Sequence, residues 1–185
     1  MRTLILSVAT VCTVWASSSW AQAAPELQTI PQLEVPRYLG RWYEIAKFPN
    51  WFQKKCVGDT SANYRLLPDG TLEVLNQCRL QNGQMDQALG QAKQLGGPSS
   101  PKLQVRFAPA WLSVLPFLWG DYWVVDLDDS YTLAAVSEPK RDYLWVLSRT
   151  PTLDAERYEA LLQRLRAQGL DVTRLEKTAH TVLKP

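Results

Sequence analysis

The chain has 185 residues, 20 basic and 18 acidic side chains, a formal charge of +2, three cysteines and one histidine. That length holds one domain with a sizeable core and hardly two. The near balance of charge excludes the strong positive field that a nucleic-acid partner would require, and a single histidine leaves a zinc centre short of ligands.

Residues 1–23 have the three parts of a secretory signal peptide. Met1-Arg2 carries a positive charge, residues 4–14 form an apolar run too short to span a bilayer comfortably, and Ala21-Gln22-Ala23 is an A-x-A cleavage site. Cys12 is not read as a lipidation site, because Ala9-Thr10-Val11 puts a β-branched residue where a small one is needed. The expected mature protein starts near Ala24 and is exported to the periplasm as a soluble chain, with association to the outer membrane left open. Cys56 and Cys78 remain after cleavage. An even pair in an exported chain points to a disulfide.

Residues 24–36 contain Pro25, Pro31 and Pro36 and read as an extended lead-in. Gly40 then permits a sharp bend before Arg41-Trp42-Tyr43-Glu44-Ile45-Ala46-Lys47, whose alternation puts Trp42, Glu44 and Ala46 on one face of a strand. Residues 49–55 mix aromatic and basic side chains and read as a flap. Strands over 60–66 and 71–77 flank Asp69-Gly70, a strong hairpin signal. Further strands follow at 84–93, 102–107, 121–127, 131–137 and 143–149. Leu103, Val105 and Phe107 share the inward face of the fifth.

Eight strands joined mostly by short turns predict an all-β, antiparallel up-and-down barrel, since closure removes the exposed edges of an open sheet. The period then changes. Ala155, Tyr158, Leu161, Leu162 and Leu165 form one stripe of a helix over about 154–168, with Thr152 or Asp154 as N-cap and Gly169 as the stop. This helix is expected to pack outside the barrel. A short strand near 172–175 and a polar tail at 179–185 finish the chain.

Three separated stretches carry a resemblance: Gly40-Arg41-Trp42-Tyr43-Glu44, Gly120-Asp121-Tyr122-Trp123-Val124-Val125-Asp126, and Leu147-Ser148-Arg149-Thr150-Pro151. With Ala62-Asn63-Tyr64, Val74-Leu75-Asn76 and Tyr143-Leu144-Trp145-Val146-Leu147 they resemble the lipocalins, on the branch of the bacterial lipocalins and apolipoprotein D. The resemblance spans residues 36–178 and makes residues 37–178 one domain of barrel plus helix. It implies that Trp42 plugs the closed end beside Gly40, with Arg149 lying across the indole.

Alternation and the resemblance together place Ala46, Tyr64, Val74, Asn76, Val105, Phe107, Tyr122 and Trp145 along a ligand cavity. The alternative is a barrel filled by its own side chains, against which the small residues Ala46, Ala62, Ala88, Gly90 and Ala92 argue. Tyr64 and Asn76 either bind a ligand's polar end or satisfy each other. The connection over 108–119 is almost wholly apolar, with Trp111, Leu112, Leu115, Phe117, Leu118 and Trp119. It reads as a lid or dimer patch at the barrel mouth, or as a membrane contact helped by Lys54 and Lys55.

No nucleophile stands beside a base, and no Gly-x-Ser-x-Gly elbow occurs, so catalysis is not expected, nor is a metal or cofactor. An isomerase- or de-epoxidase-like activity, known in a few members of the wider superfamily, finds no assembled acid/base pair here. The expected function is to bind and store or transport a fatty acid, lysophospholipid or similar lipid for membrane maintenance. Two alternatives stand beside it: a pigment or retinoid binder, and a membrane-surface stress protein acting through residues 109–119.

Overall fold

The structure is a computed structural model that describes residues 26–108 and 118–181. The predicted signal peptide, Cys12, and the loop residues Trp111, Leu112, Leu115 and Phe117 lie outside the described residues. Eight antiparallel strands close on themselves: β1 (Gly40–Lys47), β2 (Cys56–Leu66), β3 (Leu72–Leu80), β4 (Met85–Gln94), β5 (Lys102–Arg106), β6 (Gly120–Leu127), β7 (Leu133–Ser137) and β8 (Leu144–Ser148). Each pairs with the next, and β1 pairs with both β8 and β2, so the barrel has no free edge there. A ninth strand, β9 (Glu176–Lys177), adds to β1.

One end is sealed by the lead-in, which ends in a single helical turn, α1 (Val35–Tyr38), with Pro36 in its first turn, where the missing N–H costs nothing. Leu33, Val35 and Tyr38 pack beneath Trp42, Leu72, Leu103, Val124, Ala134 and Leu147. Trp42 is fully buried, and its indole N–H donates to the Tyr38 carbonyl at 2.8 Å. The Arg149 guanidinium lies 4.0 Å from the centre of the Trp42 ring. It also donates to three backbone carbonyls, those of Tyr131 at 3.2 Å, Arg41 at 2.9 Å and Arg37 at 2.8 Å. Gly40 has φ +88°, a left-handed conformation that a side chain rarely adopts.

The helix α2 (Ala155–Ala167) starts on Asp154, whose carboxylate accepts from Glu156 N and Arg157 N. It stops at Gly169, at φ +78°, with Leu170 N donating back to the Leu165 carbonyl. Leu161, Leu162 and Leu165 pack against the outer face of the barrel with Ile45, Val125, Ala135, Leu144 and Val146. Arg164 pairs with Asp126 at 2.7 Å along the same interface.

Three local expectations are corrected. Ala46 does not line the interior. A bulge between Glu44 and Ala46 shifts the register so that Ala46 pairs with Val146 and lies, fully buried, in the cluster beneath α2. The strand expected near 172–175 is a 3₁₀ turn, Val172–Arg174, because the Asp171 carboxylate captures Thr173 N, and β9 follows it. Strand β2 begins at Cys56, four residues earlier than its alternation suggests, because irregular pairing around Gly58 hides the period. The disulfide between Cys56 and Cys78 is present and ties β2 to β3.

The C-terminal segment closes a seam. Beyond Tyr43 and Ser61 the ladder between β1 and β2 ends, and residues 176–181 enter the gap. Thr178 N donates to the Ile45 carbonyl and Asp59 N to the Ala179 carbonyl, at 2.9 and 2.8 Å. At Gly58 a Cβ would stand 2.6 Å from the Ala179 oxygen, so only glycine admits the segment so closely. Inside the seam the Glu44 carboxylate accepts from Thr178 Oγ1 at 2.6 Å and Gln53 Nε2 at 2.7 Å. His180 Nε2 lies 2.7 Å from the Glu44 carbonyl oxygen.

Burial pushes the Glu44 carboxyl up from its ordinary value, and the Thr178 and Gln53 hydrogen bonds offset this only in part. Between the ordinary and the raised value the folded state holds more protons than the unfolded chain. Stability from this group is therefore full at acid pH and declines as pH rises through the raised value. Glu44→Gln keeps an acceptor for Gln53 and offers a donor to the Thr178 hydroxyl. Thermal melts across pH should show it matching the wild type in acid and melting higher at neutral pH; identical profiles would remove the burial argument. At the closed end, Trp42→Ala should cost about 3–5 kcal/mol and lower the melting temperature by roughly 10 °C. Arg149→Ala, which leaves three carbonyls without their donor, should also melt lower, and unchanged melting in both would mean that this clamp does not hold the floor.

Candidate functional site

Strand registers separate the two faces of the wall. Ala62, Asn76 and Ala88 stand at one level of the inner face, with Tyr64, Val74 and Gly90 at the next. Ala92, Val105 and Gly120 continue it, as do Leu103 with Tyr122 and Val136 with Trp145. Seven of the eight residues expected in the cavity thus lie on the inner face, Ala46 being the exception.

Packing divides this interior into two levels. Near the floor, Trp42, Leu72, Val74, Ala92, Leu103, Val124, Ala134 and Val136 are buried against one another. Val105, Tyr122 and Trp145 pack against this cluster and still keep accessible surface, as do Asn76 and Gly90, and Phe107 is 44% exposed. The small residues Ala88 and Gly90 sit at this level, whereas Ala62 stands opposite Trp42 and packs against the floor. Gly90 has a specific role: a Cβ there would lie 2.6 Å from the Phe107 ring, so its absence lets that ring lie across β4.

Three tyrosines meet where the packed level ends. The hydroxyl oxygens of Tyr38 and Tyr122 are 2.9 Å apart, and those of Tyr64 and Tyr122 are 2.8 Å apart. Burial pushes all three phenols up, Tyr64 to about 12 and the other two well above their ordinary value, so they stay protonated. Tyr64 therefore pairs with Tyr122 and not with Asn76. Among the described residues the Asn76 amide takes no side-chain partner, which leaves its hydrogen-bonding capacity facing the interior.

At the mouth, Gln53 of the 49–55 flap binds the wall. Its Oε1 accepts from the Trp145 indole at 3.0 Å and from Asn50 Nδ2 at 2.6 Å, while its Nε2 reaches Glu44. Phe52 approaches both Tyr143 and Trp145, with centroids 5.7 and 6.3 Å apart, and Trp51 beside it is 73% exposed. An open cleft of about 520 Å³ runs beside the flap, lined by Lys47, Asn50, Gln53, Lys54, Glu176 and neighbours. Charged and amide groups share its lining with Pro49, Trp51 and Cys56, and none of the seven inner-face residues is part of it.

Trp119, at the end of the apolar connection, is not over the mouth. It packs on the outer face of β4 and β5, 4.2 Å from Lys93 Nζ and 5.0 Å from the Arg106 guanidinium. Leu118 beside it is partly accessible. Tyr38 and Gln53 are the site residues that sequence reasoning missed. Tyr38 lies outside any strand period, and the flap has no period from which Gln53 could be placed. Among the described residues no group of three or more His, Cys, Asp and Glu side chains converges as a metal requires.

Residues 33–180 match the family described as the lipocalin-like domain. Temperature-induced lipocalin-1 of Arabidopsis thaliana is 41% identical over 162 residues, covering 86% of each chain. The outer membrane lipoprotein Blc of Escherichia coli K12 is 38% identical over 146 residues, 78% of each. Apolipoprotein D of Mus musculus is 31% identical over 189 residues, 96% of this chain and 95% of its own. Among solved structures, insecticyanin from the tobacco hornworm Manduca sexta superposes with a TM-score of 0.65 at 16% identity, covering 86% of this chain and 87% of that one, a likeness of fold. A closed eight-strand barrel, a floor of Trp42 under Arg149, an outer helix and identity of this extent lead to one assignment: the chain belongs to the lipocalin family.

Proposed function

We propose that this lipocalin holds a fatty acid, lysophospholipid or similar lipid in its barrel and stores or carries it in the periplasm, serving membrane maintenance. The observation that carries this reading is the two-level interior: a close-packed floor beneath an inner wall of small and aromatic residues whose surface is left accessible. Asn76, Val105, Phe107, Tyr122 and Trp145 are its proposed contacts, with Tyr64 and Val74 at their base. Affinity would come from burial. Each methylene hidden contributes about 0.8 kcal/mol, roughly fourfold in Kd, less the cost of ordering ligand and side chains.

The leader-like residues 1–23 and the Cys56–Cys78 disulfide support export to an oxidising compartment. The Escherichia coli relative is by name an outer membrane lipoprotein, which supports an envelope setting. A second reading, contact with a membrane surface, is favoured by exposed Trp51 and Phe52 next to Lys54, an apolar patch beside a cation that suits anionic headgroups, while Lys55 is paired with Asp86 at 2.6 Å. The same exposed aromatics could instead meet a second copy of the chain. A pigment or retinoid is the other ligand class that this lining suits.

Tryptophan-fluorescence titration of lipid-stripped protein with fatty acids and lysophospholipids of graded length tests the first reading. Saturable one-site binding should tighten about fourfold per methylene up to a limit, and Trp145→Ala with Phe107→Ala should abolish it. A flat response to every amphiphile would end the carrier reading. For the second, Trp51→Ser with Phe52→Ser should release the protein from anionic vesicles, and retention there would exclude this patch as the contact.

A further inference from the structure

The three tyrosine hydroxyls at the base of the cavity carry three hydrogens but form only two links, Tyr38 to Tyr122 and Tyr64 to Tyr122. Each link uses one hydrogen. One O–H is therefore left without an acceptor in the cluster, and among the described residues no other acceptor reaches any of the three. Leaving a buried donor unmatched costs about 1–3 kcal/mol. Deprotonation does not relieve it, because burial holds all three phenols protonated at ordinary pH.

The position of the third hydrogen follows from burial. Tyr38 and Tyr64 are 2% and 6% exposed, closed in among floor side chains, with Tyr38 packed on Trp42 at a centroid distance of 4.8 Å. Tyr122 stands opposite Leu103 on the inner wall and keeps accessible surface where Tyr38 and Tyr64 keep almost none, so on the cavity reading it borders the space above the floor. When Tyr38 and Tyr64 both donate to the Tyr122 oxygen, the Tyr122 hydrogen points into that space.

We propose that Tyr122 is a ligand-recognition residue that donates a hydrogen bond to an uncharged oxygen, a ketone carbonyl or hydroxyl, at the deeply buried end of the ligand. The inference rests on the cavity reading and specifies the chemistry of its far end. A bare acyl tail entering methyl-first would leave the donor unmatched. A carboxylate fits no better: the Arg149 charge is felt at Tyr38 and Tyr64, but its nitrogens are taken by three backbone carbonyls, so an anion at Tyr122 would be buried without a hydrogen-bonded cation.

The test uses lipid-stripped protein and displacement of the apolar fluorophore N-phenyl-1-naphthylamine by n-tridecane, 2-tridecanone, 2-tridecanol and tridecanoic acid. Tyr122→Phe should weaken the ketone and the alcohol about tenfold and leave the alkane nearly unchanged, since only the polar probes lose a hydrogen bond that repaid their dehydration. On the wild type alone, the infrared carbonyl band of bound 2-tridecanone should shift to the lower frequency of a hydrogen-bonded ketone, which keeps the proposal testable if the variant does not fold. A loss with Tyr122→Phe no greater for the ketone than for the alkane, or a carbonyl band as in hexane, would overturn it. So would an effect of Tyr122→Phe confined to the fatty acid, which would mean that the site reads an anion. Failure of the fluorophore and all four probes to bind would instead refute the cavity itself.

Discussion

The barrel depends on one polar side chain placed against one apolar one. Arg149 covers the Trp42 ring while its three nitrogens donate to carbonyls on α1, β1 and the β6–β7 turn. These segments are far apart in sequence and would otherwise present unsatisfied acceptors at the closed end. The guanidinium suits this position because its planar fork can stack on a ring and donate at its edges together, which a lysine ammonium cannot. Around the clamp, Leu33, Val35 and Tyr38 form a floor that needs no ligand to be complete.

Everything above that floor follows from where large side chains stop. Trp42, Leu72, Leu103 and Val124 pack the lower barrel, while the inner wall at Ala88 and Gly90 carries no large side chain of its own. The tyrosine trio lies at the boundary. It is polar enough to be costly in a sealed core and buried enough to stay protonated, a combination that makes sense where something with an acceptor can reach it.

The wall also has a weak line, between β1 and β2 toward the mouth. There strand pairing lapses and the chain's own C-terminus completes the barrel through Thr178, Ala179 and His180. Among the described residues no cation bonds the buried Glu44 carboxylate, whose acceptors are met by Thr178 and by Gln53 of the flap. Since Gln53 also holds the Trp145 indole, the seam, the flap and the cavity wall form one hydrogen-bonded unit. The position of the flap is thus tied to how the barrel closes.

Local pattern by itself determined much of this. Alternation marked the strands, Asp69-Gly70 marked a hairpin, and Asp154 with Gly169 bounded the helix, because these signals act over a few residues and depend on backbone conformations that nearby side chains control. Alternation needed the family resemblance beside it to put Tyr64, Val74, Asn76, Val105, Phe107, Tyr122 and Trp145 on the inward face. Tertiary structure alone decided the rest. Ala46 faces the helix because a bulge, invisible to a period of two, absorbs the offset between β1 and β8. Tyr38, Gln53 and His180 gained their roles from partners 84, 92 and 136 residues away. No short-range pattern encodes such pairings: they exist only once the barrel has closed and brought a turn, a flap and a tail against its two ends.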